Sequence, residues 1–333
     1  MKKTFRVVKL LFQSPLHIHK NKGDYDTSEE MLHSDTISSA MAAKGYSLYD
    51  SFDGKDFMNH ITVSSAFPFY GDQYFFPKPM IRLPVTIEEF SADESSAESK
   101  KLKKIQFIEQ GLFEEIINGK EDIVLSEDMI QAEGKYLSRE PVKKFIKTQT
   151  QQRVTIPSEG GDARPYYVER IYFDQRKKKS GLYFLIDAKP EYFQKAIELL
   201  SFLGEEGIGT DRAVGNGQFE IELDDIQLQM ADSSYRLNLS LYWPEQDEIE
   251  AGILENSSYD LIKRGGFLAG YYLNEFRHLR KNSVFMFTEG SVFRADQLIG
   301  KVGNLRPEWN DPRLENVYRS GRSFSIPVHV KEE

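Results

Sequence analysis

His17 and His19 alternate in "PLHIHK", directly after an apolar run, and would face the same side of an extended chain. A pair so placed can serve as acid and base, or bond to a polar ligand; a polar strand end explains it equally. "GGD" at 160–162 offers half of a two-carboxylate metal site, but Ala163 fills the second place, so a hairpin turn is expected there. The densest signal is "GEEGIGTDRAVGNGQF" (204–219), which gathers Gly204, Gly207, Gly209, Gly215 and Gly217 around Arg212. Glycine is retained where the backbone needs φ > 0 or something must come very close. A Walker A loop needs lysine and Ser/Thr after its last glycine, and here Gln218 follows Gly217. A dinucleotide fingerprint leaves a strand and opens a helix, whereas this loop leaves a helix and enters a strand. Two readings stay open: a tight structural turn, or an anion cradle in which bare amides and Arg212 meet a phosphate.

The elements that position these residues are legible in outline. "TFRVVKLLF" (4–12) reads as a buried strand, and "HSDTISSAMAAK" (33–44) as a helix with Ser34 or Asp35 as N-cap and Ile37, Ala40 and Met41 on one face. "SSAFPFYGDQYFFPKP" (64–79) packs Phe67, Phe69, Tyr70, Tyr74, Phe75 and Phe76 between prolines and a glycine, and reads as a structured loop. Leu102, Ile105, Ile108, Leu112 and Ile116 recur at helical spacing and predict an amphipathic surface helix over 100–117, weakened by Gly111. Residues 147–173 read as two strands joined by a glycine-containing turn, and 181–187 as a third. A helix follows from Pro190, with Phe193, Ile197, Leu200 and Leu203 on one face. After about 224 the strands become short. The pattern predicts two α+β domains, 1–223 and 224–333.

Without cysteine there is neither a disulfide framework nor a thiolate metal site, and a reducing cytoplasm fits best. Arg6 and Lys9 interrupt the N-terminal apolar run, which argues against a signal peptide, and no stretch is long and apolar enough for a membrane span. The net charge of −9 is unevenly spread. Residues 86–140 and 187–258 are acidic; 141–186 carry ten basic and four acidic residues, and 257–331 twelve and seven. Because screening confines exposed charges to roughly 8 Å, two basic segments can meet a polyanion despite the acidic total.

The spacing Gly207-x-Gly209-x5-Gly215-x-Gly217-x-Phe219 resembles the glycine-rich loop of the RAMP superfamily, the RNA-binding subunits of CRISPR effector complexes. "LLFQSPLHI", "HSDTISSAM", the aromatic segment 64–79, "EGSVF" and "VYRSGRSFSIPV" resemble one branch, the fourth subunit of type III-A (Csm-type) complexes. Residues 85–140 match no motif of it. The resemblance implies two ferredoxin-like (RRM-like) domains, the first with an inserted helical segment at about 85–140 and a β-hairpin thumb at about 147–173. It implies a non-catalytic subunit, without metal or cofactor, that holds the repeat-derived 5′ handle of the crRNA. Its protein partners would be the large polymerase/cyclase-like subunit and a backbone RAMP subunit, with target RNA passing near the thumb. The residues expected against RNA are His17, His19, Lys20, Tyr70, Lys78, Arg153, Thr155, Gly207, Gly209, Thr210, Arg212, Gly215, Asn216 and Gly217. The rival is a metal-independent CRISPR endoribonuclease, since processing enzymes of this superfamily carry a histidine near His33. Paired with Lys20, it would supply a base and a cation. Capping or core packing is the expected role of His33, and capping that of Asp35.

Overall fold

The computed structural model describes residues 1–18, 26–88, 95–142, 144–155, 164–268 and 274–331. Strand β1 (Lys2–Phe12) leads, followed by helices α1 (Ser34–Leu48) and α2 (Gly54–His60), then β2 (Ile61–Val63), β3 (Phe67–Tyr70) and β4 (Gln73–Pro77). Residues 85–137 alternate as β5 (Val85–Ile87), α3 (Ser95–Lys104), β6 (Phe107–Glu109), α4 (Gln110–Ile117), β7 (Ile123–Leu125), β8 (Ile130–Gln131) and β9 (Tyr136–Leu137). Next come β10 (Ile146–Thr155), β11 (Arg164–Phe173), β12 (Ser180–Ala188), α5 (Pro190–Glu206) and β13 (Phe219–Gln229). The C-terminal part is built of short pieces: β14 (Tyr235–Asn238), α6 (Gln246–Glu250), β15 (Leu261–Arg264), β16 (Val284–Phe287), β17 (Val292–Arg294), β18 (Val302–Asn304), β19 (Tyr318–Ser320) and β20 (Ser325–Pro327).

A mixed sheet runs in the order β13-β1-β12-β3-β4-β6-β9-β8, with β2 beside the far end of β12. Between the edge strand β13 and β12 lies β1, whose Val7, Val8, Leu10 and Leu11 are buried on both faces, which is why the strand reads as a continuous apolar run. Lys9 interrupts that run and is buried as well, because its ammonium meets the Asp224 carboxylate at 2.6 Å. The Tyr74 hydroxyl donates to the same oxygen. Helices α1 and α5 pack on each other, and α5 packs against β12 and β13. They bury Ile37 and Met41 from α1, and Ala196, Leu199, Leu200 and Leu203 from α5.

Three sequence expectations are corrected. Residues 64–79 are not a loop: β3 and β4 form a hairpin inside the sheet, turning at Gly71 with φ +62°. All six of its aromatics are buried, since neighbours cover both faces. Residues 100–117 are not one surface helix. The chain breaks between α3 and α4 because Ile108, fully buried, belongs to β6, which pairs with β4 and, in parallel, with β9. The segment 85–140 is accordingly strand and helix mixed, not helical. Strand β13 also continues through Asp224 to Gln229, pairing with β1 along its whole length.

One hydrophobic core runs through both parts. It joins Phe5 and Leu228 to Leu237, Leu239, Val292, Phe324 and Ile326, and the Phe5 and Phe324 rings lie 5.8 Å apart. The β10–β11 pair stands apart as its own two-stranded sheet, and its connecting turn, with "GGD", lies outside the described residues.

Candidate nucleic-acid interface

The glycine loop closes the end of the sheet where β1 finishes and β13 begins. Its glycines are needed by the protein's own backbone. Gly207, Gly209, Gly215 and Gly217 all have φ between +72° and +91°, a region L side chains avoid. A β-carbon on Gly207 would overlap the Asn216 carbonyl, and one on Gly217 the Ile208 carbonyl. One on Gly209 would lie 2.7 Å from the His17 carbonyl oxygen. Gly204, still in α5, lies against the Phe219 carbonyl. Of the group, only Gly215 opens onto empty space. The close approach legible in the sequence is therefore the loop folding on itself.

Residues 15–17 strap this loop to the β10–β11 pair. Gly217 N–H donates to the Pro15 carbonyl and Thr210 N–H to that of His17, at 2.8 and 2.9 Å. On its other side the strap exchanges two backbone hydrogen bonds between Leu16 and Ile171 of β11. The His17 ring is fully buried, and its Nδ1–H donates to the Glu169 carbonyl at 2.6 Å. Arg153 of β10 completes the junction with a 2.8 Å ion pair to Asp211, which is itself left-handed at φ +65°. Arg212 is exposed on the loop's outer turn, while Asn216 is buried inside it.

Of the expected RNA contacts, His17, Arg153, Gly207, Gly209, Thr210, Arg212, Gly215, Asn216 and Gly217 are brought to this one end of the sheet. Burial of its ring makes His17 a strut, not a hand. Tyr70 ends β3 on the same side, but its ring is buried against Phe145, 5.3 Å away. Lys78 follows β4 at the opposite end, where its ammonium donates to the Leu102 carbonyl at 3.1 Å. Thr155 ends β10, where its backbone lies opposite Arg164 of β11. His19 and Lys20 lie outside the described residues.

Beneath the loop lies a cavity of about 330 Å³ that joins α1 to the C-terminal part. Arg212 enters it from the loop, Arg264 from β15, Arg319 from β19, and Lys281 from the segment before β16. These last three cations were not singled out in the sequence, where the basic balance of 257–331 was their only trace. Asp35, completely buried, takes a bidentate pair from Arg264 at 2.8 and 2.9 Å and a further bond from Arg319. Burial alone would raise its carboxyl, but Arg264 and then Arg319 hold it well below the usual range. Capping is thus not the role of Asp35. Nor does His33 cap by its side chain: its Nδ1 faces Glu289 at 2.9 Å and its Nε2 faces Glu29 at 3.1 Å. Burial would lower it, but the Glu289 charge together with the hydrogen bonds to Glu289 and Glu29 outweighs this and pushes it up to about 10. No cluster of His, Asp and Glu suited to a metal occurs among the described residues, and no helix there is long and apolar enough to cross a membrane.

Similar known proteins include components of CRISPR systems. Residues 231–328 match the CRISPR Csm4 C-terminal domain family. Csm4 of Thermococcus onnurineus is 27% identical over 285 residues, covering 83% of both chains. Csm4 of Streptococcus thermophilus is 25% identical over 315 residues, covering 91% of this chain and 93% of its own. Among solved structures, a chain of a Csm1–Csm4 cassette in complex with cA4 superposes with a TM-score of 0.62 at 19% identity, covering 99% of this chain and 100% of its own. A chain of a Csm3–Csm4 subcomplex gives 0.59 at 20%, covering 98% and 100%. The chain is thus similar to Csm4 proteins along most of its length, and its C-terminal part matches their family.

Proposed function

We propose that the chain is the non-catalytic Csm4-type subunit of a cytoplasmic type III-A ribonucleoprotein, where it binds the 5′ repeat-derived handle of the crRNA. In that assembly it bridges the large polymerase/cyclase-like subunit and a backbone RAMP subunit; relatives in solved structures are paired with Csm1 and with Csm3. The observation that carries the RNA reading is the junction of three features at one sheet end: the glycine loop, Arg153 on the β10–β11 pair, and the cationic cavity below. We read β10–β11 as the thumb, near which target RNA passes. The two parts are read as ferredoxin-like domains dividing at about 230, not 224, because β13 belongs wholly to the first sheet.

The endoribonuclease reading is weaker. A protonated His33 clasped by Glu29 and Glu289 has no free site to accept a proton, and His17 is buried with Nδ1 committed. The test is binding of handle RNA and of a scrambled RNA of equal length to the purified chain, alone and with its two partner subunits. Preference for the handle and no cleavage of repeat RNA in chelator are expected. Metal-free cleavage that disappears in His33→Ala would overturn the proposal.

A further inference from the structure

We propose that the cavity beneath the glycine loop is a seat for one phosphate group, with Lys281 as its principal ligand and Arg212 closing it from the loop side. This rests on the RNA reading above and names the chemistry by which that site holds its ligand.

The cations here divide into two kinds. Arg264 and Arg319 share the single carboxylate of Asp35, whose two oxygens they occupy between them, so one positive charge of that trio is already left over. Lys281 is mostly buried, yet among the described residues its ammonium has no hydrogen bond or ion pair. Burial, and then Arg319, draw it down to about 8. A desolvated ammonium with nothing to bond costs stability, and a chain gains nothing by keeping one unless a ligand arrives. The other charged groups around it are already paired: His33 with Glu29 and Glu289, and Asp35 with its two arginines. The unspent charge is therefore positive, so the missing partner is an anion. Ile18, Leu32 and Ala40 line the same cavity and lower the local dielectric, which strengthens the pairing of an anion that enters. By volume the space would hold on the order of ten waters, ample for a phosphate. A carboxylate from a protein partner would satisfy the charge too. The adjoining basic hairpin segment and exposed Arg212 favour a chain of phosphates.

The test uses the full chain, with Lys281→Met and Arg212→Ala as variants. Probes are inorganic phosphate, polyglutamate, and handle RNA bearing either a 5′-hydroxyl or a 5′-phosphate. Readouts are melting temperature, RNA affinity and the 13C signal of the Lys281 ε-carbon. Expected at pH 7 is a Lys281→Met protein that melts higher than wild type, binds handle RNA about tenfold or more weakly, and no longer responds to phosphate. If the loss is equal for both RNA ends, the ligand is a backbone phosphodiester; if it is confined to the 5′-phosphate, a terminal one. Phosphate that shifts the Lys281 signal in a protein with no preference for the handle would uphold the seat and sink the handle reading. A lower melting temperature with unaltered phosphate and RNA binding would overturn the seat itself. So would a Lys281 signal that answers to polyglutamate and to neither phosphate nor RNA.

Discussion

His33 and Asp35 stand two residues apart at the start of α1, and each engages the C-terminal part with opposite sign. His33 offers a cation to Glu289, and Asp35 an anion to Arg264 and Arg319. Removing one member of a buried pair leaves the other uncompensated, at a cost of about 3–5 kcal/mol. Denaturant unfolding of His33→Gln and Asp35→Asn should show losses of about that size. The pH dependence separates them. Because His33 is raised from 6.5 to about 10 in the folded chain, its stabilisation is complete below pH 6.5 and is lost as pH climbs toward 10. Asp35 and Glu289 are lowered, so theirs is present above their ordinary values and is lost only on strong acidification. The gap between wild type and His33→Gln should therefore narrow between pH 6.5 and 8 and go on narrowing above it. Above 8, deprotonation of Lys281 favours the fold in wild type and variant alike. None of this pairing was legible in the sequence. A histidine before a helix and an aspartate in its first turn suggest capping, and their C-terminal partners Glu289 and Arg264 lie more than 200 residues away.

At the scale of elements, the glycine loop was visible by its spacing, but its reason was not, because sequence cannot say whose backbone approaches a bare α-carbon. The structure ranks the substitutions. Gly217→Ala must displace the Ile208 carbonyl and should cost well over 1 kcal/mol. Gly215→Ala meets open space and should cost about 1 kcal/mol, from its positive φ alone. Melting curves of the two check this; equal effects would contradict the internal packing. If RNA lies on the loop, Gly215→Ala is also the variant that reports it cleanly. Arg153→Ala removes a partly exposed pair to Asp211, worth about 0–1 kcal/mol. It should change RNA affinity and its salt dependence more than stability. Strand β1 and helices α1 and α5 were readable from their patterns, because one surface of each helix and both faces of the strand meet a single core. The β3–β4 hairpin and β6 were not. Six aromatics flanking a tight turn carry no period, and a three-residue strand is fixed by β4 and β9 beside it, not by its own sequence.

For the molecule as a whole, the common core and the paired charges cross the division at about 230, so unfolding should be one cooperative transition. Calorimetry giving two separated peaks would show two independent units. The uneven charge makes a second prediction at this scale. Each phosphate neutralised contributes about −0.7 to the log–log salt slope for single strands, so RNA affinity should fall measurably from low to physiological salt despite the net charge of −9. Arg212→Ala should flatten that slope by about one contact. A mixture of helices and strands was foreseeable from the sequence; a core continuous across residue 230 was not, since strand patterns reveal which face is apolar and never what covers it.

The pairing of β1 has a consequence for how the chain is made. Its two neighbours are β12, beginning at Ser180, and β13, beginning at Phe219. At roughly 5–20 residues per second, the ribosome releases this largely buried strand roughly ten to thirty seconds before either neighbour exists. During that interval "VVKLLF" is an unsatisfied edge with nowhere native to go. Nascent chains stalled before Ser180 should thus recruit holdase chaperones or aggregate, whereas those carried past Gln229 should not.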